Sequence, residues 1–272
     1  MLFNRQLLMN ILLSLILVTT TLAANAQMND LIRLKNAYPD HIIDVSKHNI
    51  IWMDGTSMPA LEDNDNKTLQ EKLESPSLLD QLTGIFYIPG IPKQPELFIP
   101  KNDPGRVRYE PFFLKMYGQS EHEVIANLVT IYWMPTLFGT SHPLQVTKVN
   151  NVDRKLARIS HELEQLVAKH PEYLPFLDNP GGTFKWRLIA NSNRISMHSF
   201  GMTIDINSKV SDYWQWELKG LGLSITEDAP LNYRNSIPWD IVPIFEKYGF
   251  IWGGKWHHYD SMHFEYRPEL FA

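Results

Sequence analysis

Residues 196–205 read Ser196-Met-His198-Ser-Phe-Gly201-Met-Thr-Ile-Asp205, and residues 260–263 read Asp260-Ser-Met-His263. After Gly201 the chain alternates. Met202, Ile204 and Ile206 fall on one face of an extended segment, and Thr203, Asp205 and Asn207 on the other. The alternation predicts a strand whose apolar face packs on a core, so that Asp205 faces a cavity or solvent. Gly201 lets the chain turn sharply between His198 and that strand. One imidazole and one carboxylate then converge on a point, and His263 is the best candidate for a third donor. Three protein donors of histidine and carboxylate type, with a fourth position open, describe a catalytic zinc site. Asp260, three residues before His263, is close enough to act on a water held there. The plain alternative for each residue taken alone is an ordinary core or surface histidine and a solvated strand aspartate.

At these residues the chain resembles the zinc D-alanyl-D-alanine carboxypeptidases. That family includes the vancomycin-resistance D,D-peptidases and the L-alanyl-D-glutamate endopeptidases of phage lysins. The resemblance rests on Ser196-x-His198-x-x-Gly201-x-x-x-Asp205 followed by Asp260-x-x-His263. Gly181-Gly-Thr-Phe-Lys-Trp-Arg187 and Trp252-Gly-Gly-Lys-Trp256 flank the two motifs, and the likeness covers roughly residues 180–268. It implies zinc held by His198, Asp205 and His263, Asp260 as general base, and Arg187 as the cation that polarises the scissile carbonyl. Two positions depart from the family pattern. Thr203 replaces the usual alanine, and Asp260 stands where the vancomycin-resistance enzymes carry Glu, which favours the endopeptidase-like branch. The expected fold is α+β: a small antiparallel sheet with helices packed on one side and zinc on the open face. The expected activity is hydrolysis of peptidoglycan stem peptides, with zinc as cofactor. Two other readings stand beside it: a non-catalytic wall-binding module that keeps zinc for structure, and a metal-dependent hydrolase of another small substrate.

Neither motif excludes rivals nearby. Residues 263–266 read as a strand that puts His263 and Glu265 on one face, so Glu265 competes with Asp260 as the base or hydrogen-bonds a ligand histidine instead. Arg194 competes with Arg187. His257 and His258 are adjacent, and on a strand at most one reaches the site. His161-Glu162 fails as a metal-binding HExxH motif because the fifth position is Gln165.

The chain has 272 residues, enough for one large domain or two small ones. Residues 1–26 stand apart: Arg5 is their only charge, an apolar run spans Leu7 to Leu22, and Ala24-Asn25-Ala26 has the small-x-small form of a cleavage site. They are expected to be a secretory signal peptide cut after Ala26, leaving a protein of the periplasm or cell envelope. Removing them takes away Arg5 and no acid, so 25 basic residues become 24 against 30 acidic ones, a balance of −6. That argues against nucleic acid or an anionic membrane as the main partner. No cysteine is present, which excludes a disulfide framework, a thiolate zinc site, a cysteine nucleophile and an acylated cysteine anchor.

Residues 27–120 are read as an elaborated arm or subdomain, and 121–272 as the catalytic domain. In the arm, Ile50 to Asp54-Gly55 predicts a strand entering a turn. A short helix is expected near Leu69–Leu79. Pro89, Pro92, Pro95 and Pro100 suggest extended or edge chain, and Asp103-Pro-Gly105 a turn. Ser120-x-x-Glu123 predicts a capped helix through Val129. Asn151 opens a stronger helix in which Val152, Leu156, Ile159, Leu163, Leu166 and Val167 recur at helical spacing before Pro171. Residues 184–190 are expected as a strand, Asp240 as the cap of a helix through Tyr248, and Phe250–Trp252 as a strand. The aromatic residues at 213–216, 239, 252 and 256 are expected mostly in the core, with some rings at a cleft lip.

Overall fold

The computed structural model describes residues 25–61, 67–83, 87–90, 102–190 and 192–271. The expected signal peptide up to residue 24 and most of the proline-rich stretch lie outside the described residues. Helix α1 (25–37) buries Leu31 and Leu34 and leads into a three-stranded antiparallel sheet of β1 (Ile42–Val45), β2 (Asn49–Trp52) and β3 (Ser57–Pro59). Between β2 and β3 the Asp54-Gly55 turn forms as expected. The Asp54 carboxylate accepts the Thr56 amide at 3.0 Å, and Gly55 sits at φ +80°.

Helix α2 (Leu69–Glu74) carries a full capping box between Thr68 and Glu71 and stops at Ser75, short of Leu79. Pro76 follows and disfavours helical backbone in the residue before it. Helices α3 (Glu110–Tyr117) and α4 (Glu121–Ile125) come next. Ser120 caps α4, but the helix ends at Ile125 rather than continuing through Val129. Leu128 and Val129 instead belong to β4 (Leu128–Tyr132), which pairs with β5 (Pro143–Thr147). Ladder bonding to a strand 15 residues on wins over a local capping preference. The short α5 (Pro135–Phe138) lies between them.

The long helix α6 (Val152–Lys169) presents Val152, Leu156, Ile159, Leu163 and Val167 to the core. Each such side chain contributes about 1.5–3 kcal/mol on burial. His161 lies on its exposed side, as expected.

Three strands carry the motifs: β6 (Thr203–Asp205), β7 (Phe250–Trp252) and β8 (His263–Tyr266), in the order β6-β8-β7, all antiparallel. Helix α7 (Trp214–Gly220) follows β6, and α8 (Val242–Glu246) precedes β7. Asp240 does not cap α8. It lies within a short 3-10 turn, Trp239–Ile241, and its carboxylate accepts the Tyr173 hydroxyl at 2.8 Å. Residues 184–190 form no ladder strand. They are irregular, with an isolated bridge of Leu188 to Ile195.

In the β6–β8 pairing Ile204 faces Phe264, and the flanking pairs are Thr203 with Glu265 and Asp205 with His263. Phe264 stacks on Phe245 of α8 at 3.8 Å between ring centroids, so helices cover that side of the sheet. The flanking pairs, pleated the other way, are left for the site. The fold is α+β, as expected. One apolar core runs from Leu31 and Leu34 through Phe112, Phe113 and the α6 face to Phe264 and Leu270, so residues 27–120 share their core with the motif strands.

Candidate metal centre

Register alone sets two of the three expected donors side by side, because Asp205 and His263 are paired across β6 and β8. His198 arrives from a 3-10 turn, Met197–Phe200, that Gly201 closes at φ +64°. A Cβ on Gly201 would lie 2.6 Å from Leu128 Cδ2, so both the backbone conformation and the space demand glycine there. The donor atoms of His198, Asp205 and His263 lie within 4.8 Å of one another. Asp205 Oδ1 is 3.2 Å from His198 Nε2 and 3.0 Å from His263 Nδ1.

The other nitrogen of each ring is engaged from behind. His198 Nδ1 donates to the Thr183 carbonyl at 3.0 Å, and His263 Nε2 donates to Glu265 Oε2 at 3.1 Å. These bonds hold the outer nitrogen of each ring as a donor, the arrangement metal-binding histidines use, and leave His198 Nε2 and His263 Nδ1 as the nitrogens that face Asp205 and would meet the metal. The donor set suits zinc: two imidazoles and one carboxylate.

Asp260 enters the same groove from the loop before β8, and its Oδ1 is buried with no hydrogen-bond partner among the described residues. Burial and the negative charge of Asp205 push its pKa up to about 7. Gly253 lets this loop pack closely, since a Cβ there would lie 2.6 Å from the Asp260 carbonyl. Glu265 has the opposite character. It is fully buried, and burial alone would raise it, but Arg108, His263 and Arg267 hold it well below the usual carboxylate range. A carboxylate so held is a poor proton acceptor, and it sits behind His263. For His263 itself burial opposes the proton, yet Asp205 and Glu265 outweigh it and raise the pKa to about 10.

Residues 190–266 match the model of the D-alanyl-D-alanine carboxypeptidase family. The match bears out the resemblance and supports a peptidase of peptidoglycan-type substrates. No curated protein and no solved structure matches the chain. The three clustered donors, Asp260, Arg194 and Glu265 lie inside the matched segment; Arg187 and Thr183 lie just upstream of it.

Much of what holds that segment comes from outside it. Residues 102–110 run across the site as a strap. The Asn102 carbonyl accepts the His257 amide at 3.0 Å. Asp103 accepts both the backbone amide and Nδ1 of His258, at 2.9 and 2.6 Å. Arg106 spans Asp103 and Glu227, the latter through two bonds of 2.8 and 2.9 Å. Arg108 donates to Glu265 at 2.7 Å, and Glu110 accepts the Ile195 amide at 2.6 Å. The segments at Ile195, Glu227, His257–His258 and Glu265 are thus tied to one stretch of nine residues. Locally it is a turn over 104–106 followed by irregular chain, with Arg106 and Arg108 as its basic residues.

Both histidine rivals are settled by this strap. His258 is buried among Asp103, Glu227 and Trp214 and is not part of the donor cluster, and His257 is not part of it either. Arg187 and Arg194 both line the groove, which encloses about 1750 Å³ and extends from the donor cluster to α2. Arg187 is exposed and Arg194 half-buried. Of the aromatic residues, Trp214, Trp252 and Trp256 are buried, while Trp216 stands exposed at the lip against Tyr213.

Proposed function

We propose that this protein is an exported zinc peptidase that hydrolyses peptidoglycan stem peptides, at a D-Ala-D-Ala or an L-Ala-D-Glu bond. The observation that carries the reading is a three-donor cluster sharing one groove with an acid whose buried oxygen has no partner. A structural zinc site normally closes its fourth position and needs no such acid.

Zinc held by His198, Asp205 and His263 would supply a Lewis acid that polarises a carbonyl and acidifies water. Asp260 takes the proton of the attacking water and returns it to the leaving amine, a role that suits a carboxyl raised towards neutrality. Arg187 holds the scissile carbonyl and the charge that develops on its oxygen. Glu265 and the Thr183 carbonyl orient the two imidazoles.

Digesting purified sacculi with the zinc-loaded protein and identifying the released peptides by mass spectrometry tests the reading and names the bond. No release from sacculi or from isolated stem peptides would sink it. Export rests on the composition of residues 1–26 and predicts a mature chain beginning at Gln27. An intact Met1 on protein recovered from the cell envelope would refute cleavage.

A further inference from the structure

Four arginines line the groove: Arg106, Arg108, Arg187 and Arg194. Two of them are neutralised. Arg106 is bound by Asp103 and Glu227, and Arg108 by Glu265. Arg194 is half-buried, and among the described residues its guanidinium makes no hydrogen bond or ion pair. Two acids that act on it electrostatically are already engaged: Glu110 accepts the Ile195 amide, and both oxygens of Glu227 accept from Arg106. Burial and the charges of Arg108 and Arg106 lower the Arg194 pKa to about 10. A guanidinium half out of water, repelled by two like charges and left without an acid, is an unfavourable arrangement that a bound anion would relieve.

Its backbone is fixed on both sides. The Arg194 carbonyl accepts the Ile189 amide at 2.8 Å, its amide donates to Ser192 Oγ at 3.3 Å, and Ile195 is pinned by Glu110. The base of the side chain is therefore positioned before any ligand arrives, four residues from the donor histidine His198.

We propose that Arg194 binds a free carboxylate on the substrate residue that follows the scissile bond. This rests on the peptidase reading above and narrows it. The two candidate bonds share that chemistry. In D-Ala-D-Ala the leaving residue carries the chain-terminal carboxylate, and in L-Ala-D-Glu it carries the α-carboxylate of a glutamate linked onward through its side chain. The guanidinium fork matches a carboxylate in two parallel bonds.

The test uses zinc-loaded Asp260→Asn protein, in which peptides persist uncleaved, titrated calorimetrically with a stem pentapeptide in three forms: both carboxylates free, the terminal D-Ala amidated, and the D-Glu α-carboxylate amidated. One amidation should weaken binding by about 10–100-fold, as expected for a hydrogen-bonded charge pair, and which one does so tells the two sources apart. Adding Arg194→Gln should cost the free-acid peptide the same factor and leave that amide's affinity unchanged. Arg194→Lys, keeping charge without the fork, should recover part of the loss. Arg194→Gln weakening acid and amide alike, amidation without effect at both places, or no binding of any form would overturn the proposal. Wild-type cleavage is scored separately. Cleavage indifferent to Arg194 removes the subsite and leaves the peptidase, and Arg194-dependent binding without cleavage does the reverse.

Discussion

Arg108 Nη2 lies 2.7 Å from the same Glu265 oxygen that accepts His263 Nε2. A guanidinium, a carboxylate and an imidazole thus stand in line, ending at the nitrogen that would meet the metal. Arg108→Gln should weaken zinc binding by about 10–100-fold, the usual worth of a residue that orients a ligand. Glu265 keeps its 2.9 Å bond from Arg267, so the variant retains a partner for the buried charge. Arg108→Lys should fall between the two. Chelator competition measures the affinity, and a dissociation constant for Arg108→Gln within twofold of wild type would remove Arg108 from the site.

Asp260→Asn should keep zinc and the fold but lose peptide hydrolysis by a factor on the order of 10²–10⁴. Glu265→Gln should cost less, about 10–100-fold, because it acts through His263. The order of the two effects is the test. The acid limb of the wild-type rate profile should lie at or below about 7, since a base works only after losing its proton and a cation beside Asp205 would lower Asp260 from its raised value. A dead Glu265→Gln beside an active Asp260→Asn, both zinc-loaded, would reverse the roles.

Metal uptake should release about one proton per zinc near pH 7.5, because His263, raised to about 10, holds a proton that the metal must displace. Titration calorimetry in buffers of different ionisation enthalpy counts that proton. His198→Ala and His263→Ala should each lose stoichiometric zinc, whereas His161→Ala, on the exposed side of α6, should keep it. Full zinc content in folded His198→Ala or His263→Ala protein would refute the donor set.

The strap should impose an acid limit on stability. Burial opposes ionisation of Asp103, but His258 and Arg106 outweigh it and lower its pKa from 3.8 to about 2. A carboxyl depressed in the folded state contributes stability above its unfolded pKa and loses it as pH falls through the folded one. The contribution should be complete above about pH 4, worth roughly 2 kcal/mol, and gone by about pH 2. Urea unfolding of wild type and Asp103→Asn at pH 6 and at pH 2.5 measures it. A gap between the two proteins that does not narrow at the lower pH would contradict the assignment.

The donor cluster was legible because its geometry is largely local. Gly201 dictates a turn, alternation dictates a strand, and two short motifs hold all three donors. The pairing of Asp205 with His263 then followed from β6 and β8 lying side by side. The helix end at Ile125 was not legible, since the strand that claims Leu128 and Val129 finds its partner only at Pro143–Thr147. Nor was the choice between Asp260 and Glu265. Both carry the same functional group near His263, and what separates them is Arg108, 157 residues away in the chain. The strap was missed for the same reason. Its residues are ordinary charges in a turn-rich stretch, and their meaning lies entirely in distant partners.

That separation bears on how the molecule comes to be. A chain emerging from the ribosome exposes Arg106 and Arg108 long before Glu227 and Glu265 exist to receive them. The loop that closes when Arg108 meets Glu265 spans 157 residues, and long closures come late in folding. The donor cluster therefore reaches its final form only when β8 docks against β6 and Arg108. Until then the proposed centre has no assembled donors with which to act.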